Sequence, residues 1–171
     1  IGNGAEGIIP NAGFHTHTPT IAPSTAEILW QDYTTIVTDV NLTPEGRVTF
    51  AATGSEGNAL ISVKDTSGTI LWSWHIWSTD EPVDHKYINH YGQKITVQDR
   101  NLGAISAVRG TGDQWRESVG LHYQWGRKDP FSVHVSHTRN DDDLTLIHSI
   151  QNPTVWKDKY LSTNNGWANT W

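Results

Sequence analysis

Residues 59–77 constrain this chain more than any other stretch. Ala59-Leu60-Ile61-Ser62-Val63-Lys64 is a run of strand-formers, and Asp65-Thr66-Ser67-Gly68 is a tight-turn sequence. Thr69-Ile70-Leu71-Trp72-Ser73-Trp74-His75-Ile76-Trp77 is a second, longer run. Two such runs around a four-residue turn predict a β-hairpin. Alternation along the return strand places Ile70, Trp72, Trp74 and Ile76 on one face, and Ser73, His75 and Trp77 on the other. Two tryptophans between two isoleucines read as a core wall. Trp77 is the better candidate for a half-exposed aromatic.

Further runs surround this hairpin at roughly ten-residue spacing with turns between them, which points to a β-sandwich or small barrel. Residues 1–25, rich in Gly, Pro, Thr and Asn, read as an extended leading segment. Ile28, Trp30 and Thr34-Thr35-Ile36-Val37 are strand-formers, and Asn41 to Gly46 carries a turn at Pro44-Glu45-Gly46. Arg47 to Ala52 alternates like a half-buried strand, and Gly54 to Asn58 is another turn. Residues 78–92 look like a linker or long loop, and Lys94 to Asp99 like a strand. Val119 to Trp125 fits either a short helix or a strand. Ser132 to His137 alternates again, and Thr154 to Trp171 is aromatic and Asn-rich without a period. The expected division is a β-rich region over 1–79 and a second region over 80–171, with one continuous domain as the alternative.

Composition removes several function classes. Charged residues are 18% of the chain and the formal net charge is −6. No global field draws in nucleic acid or anionic lipid. There is no Cys, so neither a disulfide framework nor a thiolate metal site is present. There is no Met, even at position 1, so the chain is expected to be a processed or excised piece. No apolar run approaches the ~20 residues of a membrane-spanning helix, and no signal peptide is visible.

Chemistry-bearing motifs are sparse. His15 and His17 form an H-x-H pair, which projects to one side of an extended strand. His134 and His137, followed by Asp141, Asp142 and Asp143, offer more donors, with calcium at the acidic run as the candidate ion. The competing reading is a solvated turn among ordinary loop histidines. No H-E-x-x-H, EF-hand spacing or G-x-S-x-G elbow occurs. Glu27, Glu45, Glu56, Glu81 and Glu117 sit mainly beside turn residues. The chain is expected to be non-catalytic.

Aromatic rings flanked by planar amides suit a sugar, whose apolar C–H face stacks on the ring while its hydroxyls meet polar groups. Tyr87, Asn89, His90 and Tyr91 have that character, as do Trp156, Tyr160, Asn164, Asn165 and Trp167. The expected ligand-binding set is Trp77, Tyr87, Asn89, Tyr91, Trp156, Tyr160, Asn165 and Trp167. Core packing plus loop polarity is the alternative explanation.

Two strings carry a family resemblance. They are Val97-Gln98-Asp99-Arg100-Asn101-Leu102-Gly103-Ala104 and Gly120-Leu121-His122-Tyr123-Gln124-Trp125-Gly126-Arg127-Lys128-Asp129-Pro130-Phe131. They resemble the fimbrillin-like and tip-pilin-associated surface proteins of Bacteroidetes that carry a Fibrobacter succinogenes major paralogous type domain. Gly57 to Asp65, running into Ile70 to Trp77, resembles that family's preceding segment. The likeness spans about residues 57–131, with a weaker match from Asn152 to Trp171.

The resemblance implies an exported protein of gut-type anaerobes, displayed at the outer-membrane surface or outside the cell. It implies a C-type-lectin-like paralogous domain; joined to the strand spacing, the expected fold is mainly β, with N-terminal β-sandwich-like strands followed by an irregular, C-type-lectin-like α+β portion. It supplies no catalytic residues. Family members continue into a Cys-Pro-x-Gly-Trp-Arg-Val-Pro segment that is absent before Trp171, so a truncated lectin-like half is expected. Asp99-Arg100-Asn101 is expected to anchor loops through a buried ion-pair network centred on Arg100, with Trp125 packed beneath.

The expected function is a non-catalytic surface binding module, an adhesin or glycan-recognition domain. Its partners would be a glycan or a host or bacterial surface protein. A pilus-like or fimbria-like assembly subunit, joined to its neighbours, is the alternative; a glycosidase or amidase is a distant third.

Overall fold

The computed structural model describes residues 21–32, 34–124, 127–140 and 146–157. The run beginning at Ala59 lies within a strand, β4 (Gly57–Lys64), that forms the middle of an antiparallel sheet between β1 (Thr25–Gln31) and β5 (Ile70–Ser78). Leu60, Ile61, Ser62 and Val63 are all at most 2% exposed. A strand covered on both faces shows no polar alternation, which is why this run is continuous in sequence. The turn into β5 is built by Asp65. Its Oδ1 accepts from the backbone N of Ser67 and of Thr69, each at 2.9 Å, and Gly68 supplies a φ of 84°.

The two faces of this sheet meet different partners. Ala59, Ile61 and Val63 share one face with the cross-strand neighbours Ile76, Trp74 and Trp72. That face packs on Ile36, Val37, Val40 and Val48, and on Ile150 at its far end. Val37, Val40 and Val48 belong to a second hairpin, β2 (Val37–Leu42) with β3 (Val48–Ala52). The opposite face carries Leu60, which clusters with Trp30 and Leu121. It also carries Asn58, Ser62, Ser73 and His75. Burying polar groups there requires internal partners.

The mainly β expectation holds, and most sheet pairs are antiparallel. Several local readings need correction. Residues 78–92 are not simply a linker: they include β6 (Asp84–Ile88), paired antiparallel with β7 (Lys94–Gln98). All five residues of β6 are exposed, so no burial pattern marked them. Gly57 and Asn58 open β4 rather than ending a turn, and Thr34 and Thr35 precede β2. Within Arg47 to Ala52, Val48–Ala52 does form β3, yet most of it is exposed.

Beyond β7 the chain is irregular. A 3₁₀ turn at Gly112–Gln114 leads into α1 (Trp115–Val119). Of the helix and strand open for residues 119–125, neither continues past Val119 over the described residues 120–124; His122 makes an isolated bridge to Phe131. Short strands β8 (Thr138–Asn140) and β9 (Val155–Lys157) pair in parallel around α2 (Leu146–Gln151). Ser132 to His137 is not a strand. Ser132 Oγ accepts from the backbone N of His134 at 3.0 Å, and His137 Nε2 donates to the Ser132 carbonyl at 2.9 Å, folding the segment back on itself.

Candidate ligand groove and its polar support

The polar face of the sheet is tied to the irregular half by a buried network. Asn58, 3% exposed, uses its side-chain N–H groups on Asp32 Oδ2 (2.7 Å) and the Gly103 carbonyl (2.8 Å). Its backbone N also donates to Asp32 Oδ2, at 2.8 Å. With both amide hydrogens engaged, Asn58 Oδ1 accepts from His75 Nε2 at 2.9 Å, which fixes the Nε2–H tautomer of that imidazole. Burial pushes the His75 pKa down, against the opposing pull of Asp129 and Asp32. Asp32 Oδ1 accepts from Ser132 Oγ.

A second knot lies on the same face. Ser73 Oγ donates to Asp129 Oδ2 at 2.7 Å, and Lys128 Nζ donates to both Asp129 oxygens at 2.7 Å and to the Ser73 carbonyl at 2.9 Å. The same ammonium lies 4.5 Å from the Trp72 ring centroid. Ser73 is 2% exposed and its hydroxyl is committed to Asp129. These groups hold the two halves together, and the Ser73 hydroxyl is turned away from solvent.

Arg100 anchors a third arrangement, at the end of β7. Its side chain is 5% exposed. Nε and one terminal nitrogen grip the two oxygens of Asp99 at 2.9 and 3.0 Å. The other nitrogen reaches Thr79 Oγ1 at 3.0 Å and also Asp80. Hydrogen bonds from Arg100 hold the Asp99 and Asp80 carboxyls below the usual range. Asn101 Nδ2 donates to the Ser118 and Val119 carbonyls, capping the end of α1. Gly120 follows with φ 76° and ψ −148°, a conformation kept by glycine, and a Cβ there would stand 2.5 Å from the Leu102 carbonyl oxygen.

These anchors shape an open groove of about 570 Å³. Gln98, Asp99, Arg100, Arg109 and Trp115 are among its lining residues. Asp99 and Arg100 satisfy one another. Gln98 and Arg109 have no hydrogen-bond or ion-pair partner among the described residues. Trp115 is 44% exposed, with the Arg116 guanidinium 5.8 Å from its ring centroid. The groove therefore offers an aromatic surface beside an amide and a guanidinium that meet no partner among the described residues.

The structure disperses the sequence-derived ligand set. Tyr87, Asn89 and Tyr91 fall on the β6–β7 hairpin, and none of them lines the groove. Asn89 organises its own turn, its Oδ1 accepting from the backbone N of Tyr91 and of Gln93 at 3.0 Å. Tyr91 is 77% exposed and stacks on His90. Trp77 is half-buried on β5, and Trp156 packs edge-on to Phe131 with centroids 4.8 Å apart. Tyr160, Asn165, Trp167, Asp141, Asp142, Asp143, His15, His17 and Trp125 lie outside the described residues. Trp115 and Arg109 were missed. The available signal was Gly110-Thr111-Gly112 just before a tryptophan, a loop that delivers an aromatic to a helix start.

Fold and groove together define a mainly β protein with a solvent-open groove, lined in part by Trp115 and Gln98, on its irregular half. Among the described residues no helix is long and apolar enough to cross a membrane. No protein-family model matches the chain, and no curated protein or solved structure shows significant similarity to it.

Proposed function

We propose that this chain is a non-catalytic binding module of an exported bacterial surface protein, of the fimbrillin-like kind, and that it recognises a glycan. The observation that carries this reading is the groove beside Arg100. Its volume falls within the ~300–1,000 Å³ range of small-ligand sites. Trp115 offers a ring face for an apolar sugar surface, and Gln98 and Arg109 offer donors to its hydroxyl or carboxylate oxygens. The buried Arg100 network fixes the walls before any ligand arrives, which lowers the ordering cost of binding.

A glycan array probed with the purified chain, followed by titration of the strongest hit, tests this. Trp115→Ala is expected to weaken binding about tenfold, the scale of one lost aromatic contact. Silence on the array from protein shown to be folded, or binding unchanged in Trp115→Ala, overturns the reading.

A second reading, an assembly subunit, is favoured by a different observation. Among the described residues no strand pairs with the outer edge of β7, and Tyr87 and Val97 of the hairpin are exposed.

A further inference from the structure

We infer that the outer edge of β7 pairs with the same edge of a second copy of this chain, antiparallel about Thr96, to make a continuous four-stranded sheet.

The inference begins with which backbone groups point outward. The backbone N of Asp99 donates to the Val83 carbonyl, and that of Asn89 donates to the Gln93 carbonyl. Both pairs keep the hairpin's register, in which Asp84 faces Gln98 and Ile88 faces Lys94. In an antiparallel ladder, bonded and non-bonded pairs alternate. The bonded pairs are therefore Val83 with Asp99, His85 with Val97, Tyr87 with Ile95 and Asn89 with Gln93. Lys94, Thr96 and Gln98 turn their N–H and C=O groups away from β6. Among the described residues no other strand takes them up.

The sequence of this edge is complementary to itself. Antiparallel pairing about Thr96 sets Lys94 against Gln98, Ile95 against Val97, and Thr96 against its own copy. Lys94, Thr96 and Gln98 are the residues whose backbone groups are open, so they form the bonded pairs of the new ladder. Ile95 and Val97 fall at the non-bonded positions, where side chains approach most closely. They share a face with Tyr87 and His85, so pairing extends one apolar stripe across both copies. Val97 and Tyr87 are 44% and 50% exposed in the single chain. No like charges meet.

The opposite edge is guarded. Pairing β6 about its centre would set Lys86 against its own copy, a like-charge clash. Sliding it to match Asp84 with Lys86 would set Ile88 against Pro82, which has no N–H to give. A charged lysine at mid-strand is a common device against edge pairing. Guarding β6 in these two registers favours association of two copies over growth into a fibre. A five-residue edge is far smaller than a standard interface, so the dimer is weak, with a Kd on the order of 10–1,000 μM.

The full chain has no cysteine, which makes disulfide trapping clean. Thr96 faces its own copy with Cα atoms about 5.5 Å apart, within disulfide reach. Under mild oxidation, Thr96→Cys is expected to give covalent dimer about tenfold faster than Lys94→Cys or Lys86→Cys, whose thiols do not meet. Thr96→Lys is expected to abolish the reversible dimer in sedimentation equilibrium, and mixing it with Thr96→Glu to restore a heterodimer. Equal trapping at all three positions, faster trapping at Lys94 or Lys86, an unchanged dimer in Thr96→Lys, or a monomer up to about 1 mM each overturns the inference. None of these outcomes depends on whether the groove binds a glycan.

Discussion

Asn58 Nδ2 lies 2.7 Å from Asp32 Oδ2, and this bond joins the start of the central strand to the end of β1 while the same nitrogen reaches across to Gly103. One buried amide therefore fastens both the sheet and the loop that leads to the groove. Asn58→Ala would leave Asp32 short of a donor, the Gly103 carbonyl unpaired and His75 without its acceptor. The expected loss is about 2–4 kcal/mol by urea denaturation. A change under about 0.5 kcal/mol would show that the network carries no net stability.

The partly buried histidines give stability a pH dependence with a defined sign. Burial is the main cause lowering the pKa of His75, His134 and His137 in the folded chain. A base with a lowered folded pKa binds fewer protons folded than unfolded. Its stabilising contribution is complete above the ordinary value of 6.5 and is lost as pH falls through the folded value. The urea midpoint is expected to stay level from about pH 8 to 7 and to fall from about pH 6.5 to 5. His75→Gln, which keeps an N–H for Asn58, is expected to flatten part of that decline. A level profile down to about pH 5 would contradict the assignment.

Gly120 is irreplaceable on two counts, its backbone angles and the closeness of the Leu102 carbonyl. Gly120→Ala is expected to cost about 2–4 kcal/mol, more than a surface substitution, because neither problem relaxes without moving the end of α1. Gly54→Ala is the comparison, since a Cβ there meets nothing within 4 Å and only its φ of 82° is strained. Equal effects from the two substitutions in thermal unfolding would remove the steric part of this account.

Arg100→Lys tests the groove wall separately from the ligand contacts. Lysine keeps the charge but cannot hold both Asp99 oxygens while reaching Thr79 and Asp80. The expected result is a lower Tm together with weaker glycan binding, whereas Trp115→Ala leaves Tm nearly unchanged and weakens binding alone. If Arg100→Lys matches the parent in both measurements, the network is not what fixes the groove.

The sequence by itself determined the parts governed by neighbours along the chain. The hairpin over residues 59–77, its Asp65–Gly68 turn and the wall of Trp72 and Trp74 were legible because strand alternation and turn chemistry act over a few residues. Arg100 was legible as an anchor because a guanidinium beside Asp99 at a strand end has few other uses. Only the tertiary structure decided the rest. β6 carries no burial signal, since both its faces meet solvent and its strand form comes from β7. Ser132 to His137 alternates like a strand, yet side-chain bonds to Asp32 and within the segment hold it in a turn. The groove unites Gln98, Arg109 and Trp115, which no local pattern links. They meet because Asn58, Asn101 and Arg100 fix long-range distances, and such distances depend on which buried polar groups find partners across the fold.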